Sequence, residues 1–477
     1  MTDKPIQKQL VGVLELSSKY RYGITSRGAP MYLFRPYDEA EGKDEYIVGS
    51  TERDTSRNQI AIVAVEPNTE LKQAGQKPRA TLQRLLGPVG DYNAEVAALL
   101  EHYCPKPNNK KTEKPKPEET KEPKPEETEQ IKGSRECIDA EHGWITFHID
   151  PVGCRDIDDA IAYHPATKTW SITIADAAAA VPIGSDTDKV AKAIGSTFYD
   201  LNGYAIRPML PPEISEGSAS LLPGQPRKGV TLFCPPSGLH TFALTWITVE
   251  HSFSYESFPA SAVAFDLQIS REPHSWIEEL MIRYNTAAAK RLKEAGRGLL
   301  RVQKPTEDAV GWAAIDPALA PLAAEAAVYE VADPEKIQEH TSLGLAAYCH
   351  ASSPLRRYAD LVNQRILKAL ILGPDSDSDS ASAREAEHLN DRTNANKRWT
   401  RDLTFLSLVT PGMVHTVSVI FLPEGKVWIP EWRRIIRLRH EEDRPPGYKG
   451  TIQIFCDPTR RNWKRRILTA ATVDSTL

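Results

Sequence analysis

Three short runs near the start of the chain alternate apolar and polar positions: QLVGVLEL (9–16), MYLFRPY (31–37) and QIAIVAVE (59–66). A period of two marks half-buried strands, and the polar turns between them predict a small antiparallel barrel. The stretch AEVAALLEHY (94–103) changes to helical spacing and closes this unit. A mixed α/β region follows, with long helical runs at HSWIEELMIRYNTAAAKRLKEA (274–295) and RYADLVNQRILKALIL (357–372). From about residue 408 the strand pattern returns in MVHTVSVIFL, KVWIP and TIQIFC. That pattern predicts a second small barrel of the oligonucleotide-binding type.

Composition sets the boundaries. Residues 105–130 have no apolar side chains besides prolines, and PKPEET occurs twice in them. Such a stretch buries no core and reads as an extended tether. GPDSDSDSASA (373–383) reads as a loop. The expected division is therefore 1–104, 105–131, 132–407 and 408–477. The 477 residues are 40% hydrophobic and 26% charged, as in soluble globular proteins. No run of 18 apolar residues suggests a membrane span, and the start lacks the apolar core of a signal peptide. The six cysteines lie far apart without a CxxC pair. A reducing, intracellular and cytoplasmic setting is the expectation. Net charge is −5, which argues weakly against a nucleic-acid binder, but WRRIIRLRH (432–440) and RRNWKRR (460–466) make the tail basic.

Candidate chemistry concentrates in DPVGCRDIDD (150–159), where Asp150, Asp156, Asp158 and Asp159 crowd into ten residues. Neighbouring carboxylates raise one another's pKa, and divalent cations remove the conflict. Carboxylate oxygens suit Mg²⁺ or Mn²⁺, and two such ions ~3.5–4 Å apart can act together on a phosphodiester. The bland alternative is a solvated acidic loop. A calcium loop is another, but the EF-hand spacing is missing. Two features favour a buried site: the interleaved Ile149, Val152, Ile157, Ala160 and Ile161, and the flanking strand-like runs ITFHI and WSITIAD.

A second constellation is SSPLRRYADLVNQR (352–365). Arg356 and Arg357 stand where a helix begins, so their charge adds to the positive end of its dipole and suits an anion. A guanidinium grips phosphate oxygens bidentately. The competing reading is an ordinary pair bonded to local carboxylates such as Asp360.

Together the two stretches resemble the ribonuclease II/R family of RNB-domain exoribonucleases. That family has an Asp, five residues and Asp-x-Asp-Asp, then Ser-Pro-(Ile/Leu)-Arg-(Arg/Lys)-Tyr-x-Asp further on, matched here by SPLRRYAD (353–360). RPMLPPEISEGSASLLPGQPRKG (207–229) and the helix EPHSWIEELMIRYNTAAAKRL (272–292) are also similar to it. Within the family, IDPVGCRDIDDAI and LLGPVGDYNAEVAALLEHY look most like the catalytic subunit of the eukaryotic exosome. The resemblance implies a multidomain α+β protein. A central RNB-type α/β catalytic domain would be flanked by OB-like barrels, cold-shock-like before it and S1-like after it.

The implied activity is hydrolytic 3′→5′ degradation of single-stranded RNA to nucleoside 5′-monophosphates. The implied cofactor is a pair of Mg²⁺ or Mn²⁺ ions on Asp150, Asp156, Asp158 and Asp159, with Arg356 bracing the transition state. Tyr199, Glu279, Arg357 and Tyr358 would bind RNA. The chain would act as a monomer or dock on a larger RNA-processing assembly. The rival is a catalytically silent RNA-binding subunit. Trp432 and Trp463, set among arginines, are read either as base-stacking groups or as barrel core. The sequence departs from the family pattern at Thr173, Phe265, Gln303, Gln364 and Thr400, which puts the grip on RNA in doubt rather than the aspartates.

Overall fold

The computed structural model describes residues 8–37, 45–65, 77–105, 135–259, 272–304, 312, 314–322, 325–373, 381–408, 413–438, 444–456 and 467–473. Phe265, Trp463 and nearly all of the expected tether lie outside them. The chain divides into two units: residues 1–106, 312–319 and 395–477 form one, residues 107–311 and 320–394 the other.

In the first unit, β1 (Gln9–Leu14), β2 (Met31–Pro36), β3 (Tyr46–Gly49), β4 (Gln59–Val65) and β5 (Arg79–Pro88) close a barrel. Leu14, Leu16, Phe34, Val48, Ala61 and Val63 fill it and are fully buried. Gly12 lets β1 approach β2 closely, since a Cβ there would lie 2.2 Å from the Arg35 carbonyl oxygen. The barrel is not antiparallel throughout. β3 and β5 run parallel, with Ile47 opposite Arg79 and Val48 opposite Ala80. Helix α1 (Tyr92–Tyr103) is capped by Asp91, whose carboxylate accepts from the Ala94 N–H at 2.9 Å. Its Ala94 and Ala98 pack against Val13 and Ile60 of the barrel.

The second unit carries β6 (Glu136–Ile138), β7 (Ile145–Ile149), β8 (Asp159–His164), β9 (Thr169–Ala175), α2 (Ala177–Ala180), α3 (Asp186–Ile194), β10 (Phe198–Tyr199) and β11 (Ala205–Arg207). There follow β12 (Pro226–Cys234), β13 (Thr241–Thr248), β14 (His251–Phe253), α4 (Pro273–Glu294), β15 (Leu299–Val302), β16 (Val328–Val331) and α5 (Tyr358–Leu372). Seven strands form one sheet in the order β14-β7-β8-β9-β12-β13-β6. Its interior pairs are antiparallel and its two edge pairs parallel. The helices supply the apolar cover, with Leu280, Tyr284, Ala288 and Leu292 of α4 buried in one stripe.

Helix α6 (Ala383–Leu408) begins in this unit and ends in the first. Beyond it, β17 (Val414–Leu422), β18 (Lys426–Ile429), β19 (Arg434–Arg437), β20 (Lys449–Cys456) and β21 (Ile467–Val473) form a barrel-like antiparallel sheet, ordered β19-β18-β17-β20-β21. Trp432 belongs to its core, 4% exposed and edge-on to Phe405, so the base-stacking reading of Trp432 is withdrawn. Arg434 is equally committed: it is buried on Asp402, which also accepts from Tyr103 and Arg401. Not every arginine of the basic tail faces outward.

Candidate active site

The aspartate motif is the link from β7 to β8. β7 ends at Ile149, and the chain turns at Pro151–Cys154, where the Cys154 N–H donates to the Pro151 carbonyl at 3.0 Å. Gly153 takes a left-handed φ of 86°, which favours glycine. Val152, expected to help bury the motif, sits at the tip of the turn and is 89% exposed. Ile149, Ile157, Ala160 and Ile161 are buried as expected.

Ser220 pins the returning strand. Its buried hydroxyl donates to the Arg155 carbonyl at 2.6 Å and accepts from the Ile157 N–H at 3.0 Å. The Leu221 N–H bonds back to the Ile157 carbonyl, and Ala175 of β9 donates to that of Asp158. The 207–229 segment therefore clamps the loop that presents the carboxylates.

The four aspartates have different surroundings. Asp158 is buried and accepts two bonds, from the Leu355 N–H at 2.9 Å and from Arg356 Nε at 3.0 Å. Arg356 also donates Nη2 to Ser353 Oγ at 2.9 Å, while its side chain stays 45% exposed. Asp156 accepts from the Tyr199 hydroxyl at 3.2 Å and from the Cys154 thiol at 3.4 Å. Asp150 meets His148 Nδ1 through one oxygen at 2.9 Å. Among the described residues, the Asp159 carboxylate has no hydrogen-bond or ion-pair partner.

These surroundings shift the titrations. Burial pushes Asp158 up to about 7, against the pull of Arg356 and the Leu355 N–H. Burial, then repulsion by Asp150 and Asp158, pushes Asp159 up to about 8. Burial raises the Cys154 thiol to about 12, helped by Asp150 and Asp156. Burial disfavours the Arg356 charge, but Asp158 beside it more than restores it, so this guanidinium stays protonated.

Carboxylates are the donors a hard cation prefers, and among the described residues Arg356 pairs with Asp158 while Asp159 has no hydrogen-bond or ion-pair partner. A ready-made four-carboxylate cage does not follow. No group of three or more His, Cys, Asp or Glu side chains is arranged to hold a metal ion among the described residues. Protein donors engage both oxygens of Asp158 and of Asp156. Among the described residues, Asp150 and Asp159 are the two with oxygens that accept no hydrogen bond.

The other expected site residues divide. Tyr199 lies at the carboxylates, through its bond to Asp156. Arg357 donates Nη2 to Asp360 at 2.9 Å, the local pairing that competed with a phosphate role. Tyr358 is only 2% exposed, and its hydroxyl donates to Asp188 at 2.9 Å; it is a core group rather than an RNA contact. Glu279 pairs with Arg283 one turn on, at 3.3 Å, as a half-exposed helix-surface acid commonly does.

The departures from the family pattern carry structural bonds. Gln364 accepts from the Ala178 N–H and donates to the Ala175 carbonyl. Gln303 donates to the Glu325 carbonyl and accepts from the Ser342 N–H. Thr173 shares a buried hydroxyl ladder with Thr231 and Thr245, each step 2.7 Å. Thr400 bonds back to the Asn396 carbonyl within α6.

Tyr255 escaped the sequence reading. β14 runs parallel to β7, and the Asp150 N–H donates to the Phe253 carbonyl at 3.1 Å, so Tyr255 emerges beside the carboxylates. Burial, then the charges of Asp150 and Asp159, lift its hydroxyl to about 12. Neither Tyr255 nor Ser220 has a spacing signal, because each reaches the motif through long-range pairing.

The RNB domain profile matches residues 141–262 and 243–373. Ribonuclease R of Helicobacter pylori is 25% identical over 310 residues, covering 47% of this chain and 48% of that protein. The chain thus spans about half the length of the curated ribonucleases R it matches. Mycoplasma genitalium RNase R, solved in complex with double-stranded RNA, superposes with a TM-score of 0.68 at 18% identity, covering 98% of this chain and 96% of that one. Yeast Ssd1, described as a pseudonuclease, gives 0.66 at 17% identity, covering 96% of this chain and 67% of that one. At such identities the structural likeness speaks for the fold alone. The profile match takes in the β7–β8 aspartate link, the Ser220 clamp and Arg356, and with it the chain belongs to the RNB-domain family.

Proposed function

We propose that the chain is a hydrolytic 3′→5′ exoribonuclease that shortens single-stranded RNA to nucleoside 5′-monophosphates. The observation that carries this reading is the pairing of Arg356 with the buried Asp158, with Asp150 and Asp159 in the same charge cluster. Asp158 fixes the Arg356 guanidinium, and this half-exposed side chain would meet charge developing on a phosphoryl group. Asp150 and Asp159 would hold Mg²⁺ or Mn²⁺, which when bound supplies an activated water and charge for the leaving oxygen. Asp156 is held as an acceptor by Tyr199 and Cys154, which fixes the Tyr199 ring where a terminal base can stack. The 2′-hydroxyl is the group that separates RNA from DNA in such a site. The protein works as a monomer in the cytoplasm, alone or docked on an RNA-processing assembly.

A second reading, a silent RNA-binding subunit, is favoured by one observation: the carboxylates are not pre-arranged as a metal cage. A labelled single-stranded oligoribonucleotide with Mg²⁺ or Mn²⁺ separates the two. Stepwise shortening to mononucleotides supports the nuclease. Retention without cleavage supports the silent subunit, and indifference to RNA rejects both.

A further inference from the structure

Tyr255 and His274 form a parallel aromatic pair, with ring centroids 3.6 Å apart and planes 13° from parallel. Tyr255 is half-buried and stands two residues beyond Phe253, whose carbonyl binds the Asp150 N–H. His274 is exposed, in the first turn of α4. Two features hold it in place. Glu272 caps the helix by accepting from the His274 and Ser275 N–H groups. Trp276, two residues on, stacks on Phe258 and Phe147, which anchors this helix end on β7 and on the segment that follows β14.

An aromatic pair has no need to expose one ring to water. Its position matters more: one ring neighbours the carboxylates of Asp150 and Asp159 and the other opens to solvent. Bases stack on such surfaces without regard to identity, since every base has a π face. Resting on the exoribonuclease reading, we propose that the Tyr255–His274 pair is a nucleobase platform at the rim of the carboxylate site. A base of one of the last two nucleotides lands on the open face of His274 and continues the stack. Tyr199, bonded to Asp156, then serves a different base.

The test pairs missing rings with missing bases. Binding of single-stranded oligoribonucleotides to the full chain is followed by fluorescence anisotropy without divalent ions, so the readout is independent of cleavage. The strands are intact, abasic at the terminal position, or abasic at the penultimate one. The platform predicts that wild type loses about tenfold in affinity for one abasic strand, the scale of a single base–aromatic stack. His274→Ala should bind that strand and the intact one equally well, while His274→Phe restores the discrimination. Melting curves of His274→Ala matching wild type confirm that the exposed ring was removed without damage. The platform is overturned if His274→Ala keeps the full abasic penalty at both positions. Failure of wild type to bind RNA at all overturns the platform together with the functional reading, and so differs from failure of the platform alone.

Discussion

Asp158→Asn is the sharpest perturbation the site offers. Asp158 accepts from two donors, the Leu355 N–H at 2.9 Å and Arg356 Nε at 3.0 Å. Asparagine keeps one acceptor oxygen, so its NH₂ must face one of those donors. Losing a hydrogen bond to a charged group costs about 1.5–3 kcal/mol. The neutral amide recovers part of this, because burial already disfavours the charge and lifts Asp158 to about 7. The expected net destabilisation is about 1–2 kcal/mol, read from urea unfolding. Arg356 loses the partner that aims it, so cleavage should fall by about 10²–10³-fold, as when one preorganised electrostatic donor is removed. RNA affinity should change by less than about threefold, which places the loss in the chemical step. Cleavage at the wild-type rate, or a variant more stable than wild type, would refute both the site and the accounting of its donors.

Ser220→Ala removes the hydroxyl that joins Arg155 to Ile157. It should cost about 1–3 kcal/mol and speed proteolysis within residues 150–159, as seen by mass spectrometry of limited digests. Arg434→Met leaves Asp402 buried on Tyr103 and Arg401 alone. A loss of about 3–5 kcal/mol is expected, measured by urea unfolding of the full chain. His350 bonds the Tyr329 hydroxyl at 2.7 Å, and burial, then Arg357, Arg301 and His340, holds its pKa well below 6.5. The unfolded chain therefore binds a proton below about pH 6.5 that the folded chain refuses, so stability falls on acidification, by up to about 1.4 kcal/mol per pH unit. His350→Gln should flatten that slope between pH 6.5 and 5 in urea titrations.

Periodicity made legible what is locally encoded. The runs at 9–16, 31–37 and 59–66 became β1, β2 and β4, and the two long helical stretches became α4 and α5. β3 and β5 were missed, one because it is four residues long and the other because its outward face is polar. α6 was missed as a whole; its charged and amide-rich face hides the apolar positions Leu389, Trp399 and Leu403, which are buried. β8 begins at Asp159 itself, so the acidic cluster masked the start of a strand. The aspartates and Arg356 stood out as candidates through side-chain type and spacing, and the structure adds that Asp158 and Arg356 are bonded to each other. Tyr358 was misplaced because a helix's first turn faces two ways, and only packing against Asp188 and Arg365 decides which.

The crowding in residues 150–159 is resolved unequally, and that bears on whether an RNB chain cleaves or merely binds. Asp158 and Asp156 are structural as much as chemical: each holds a neighbour, Arg356 or Tyr199, by accepting its hydrogen bond. Removing either disturbs the shape of the site along with its charge. Among the described residues, Asp159 has no such partner, and Asp150 keeps one oxygen open. Substituting these two by asparagine removes repulsion and breaks at most one bond, so a silent protein could arise there without loss of fold. All four acids are present in this chain. Burial, Asp150 and Asp158 oppose the charge of Asp159, and Arg356 favours it. A bound cation would favour the charged form of Asp159, as Arg356 already does, so the four acids are what the proposed nuclease needs at this turn.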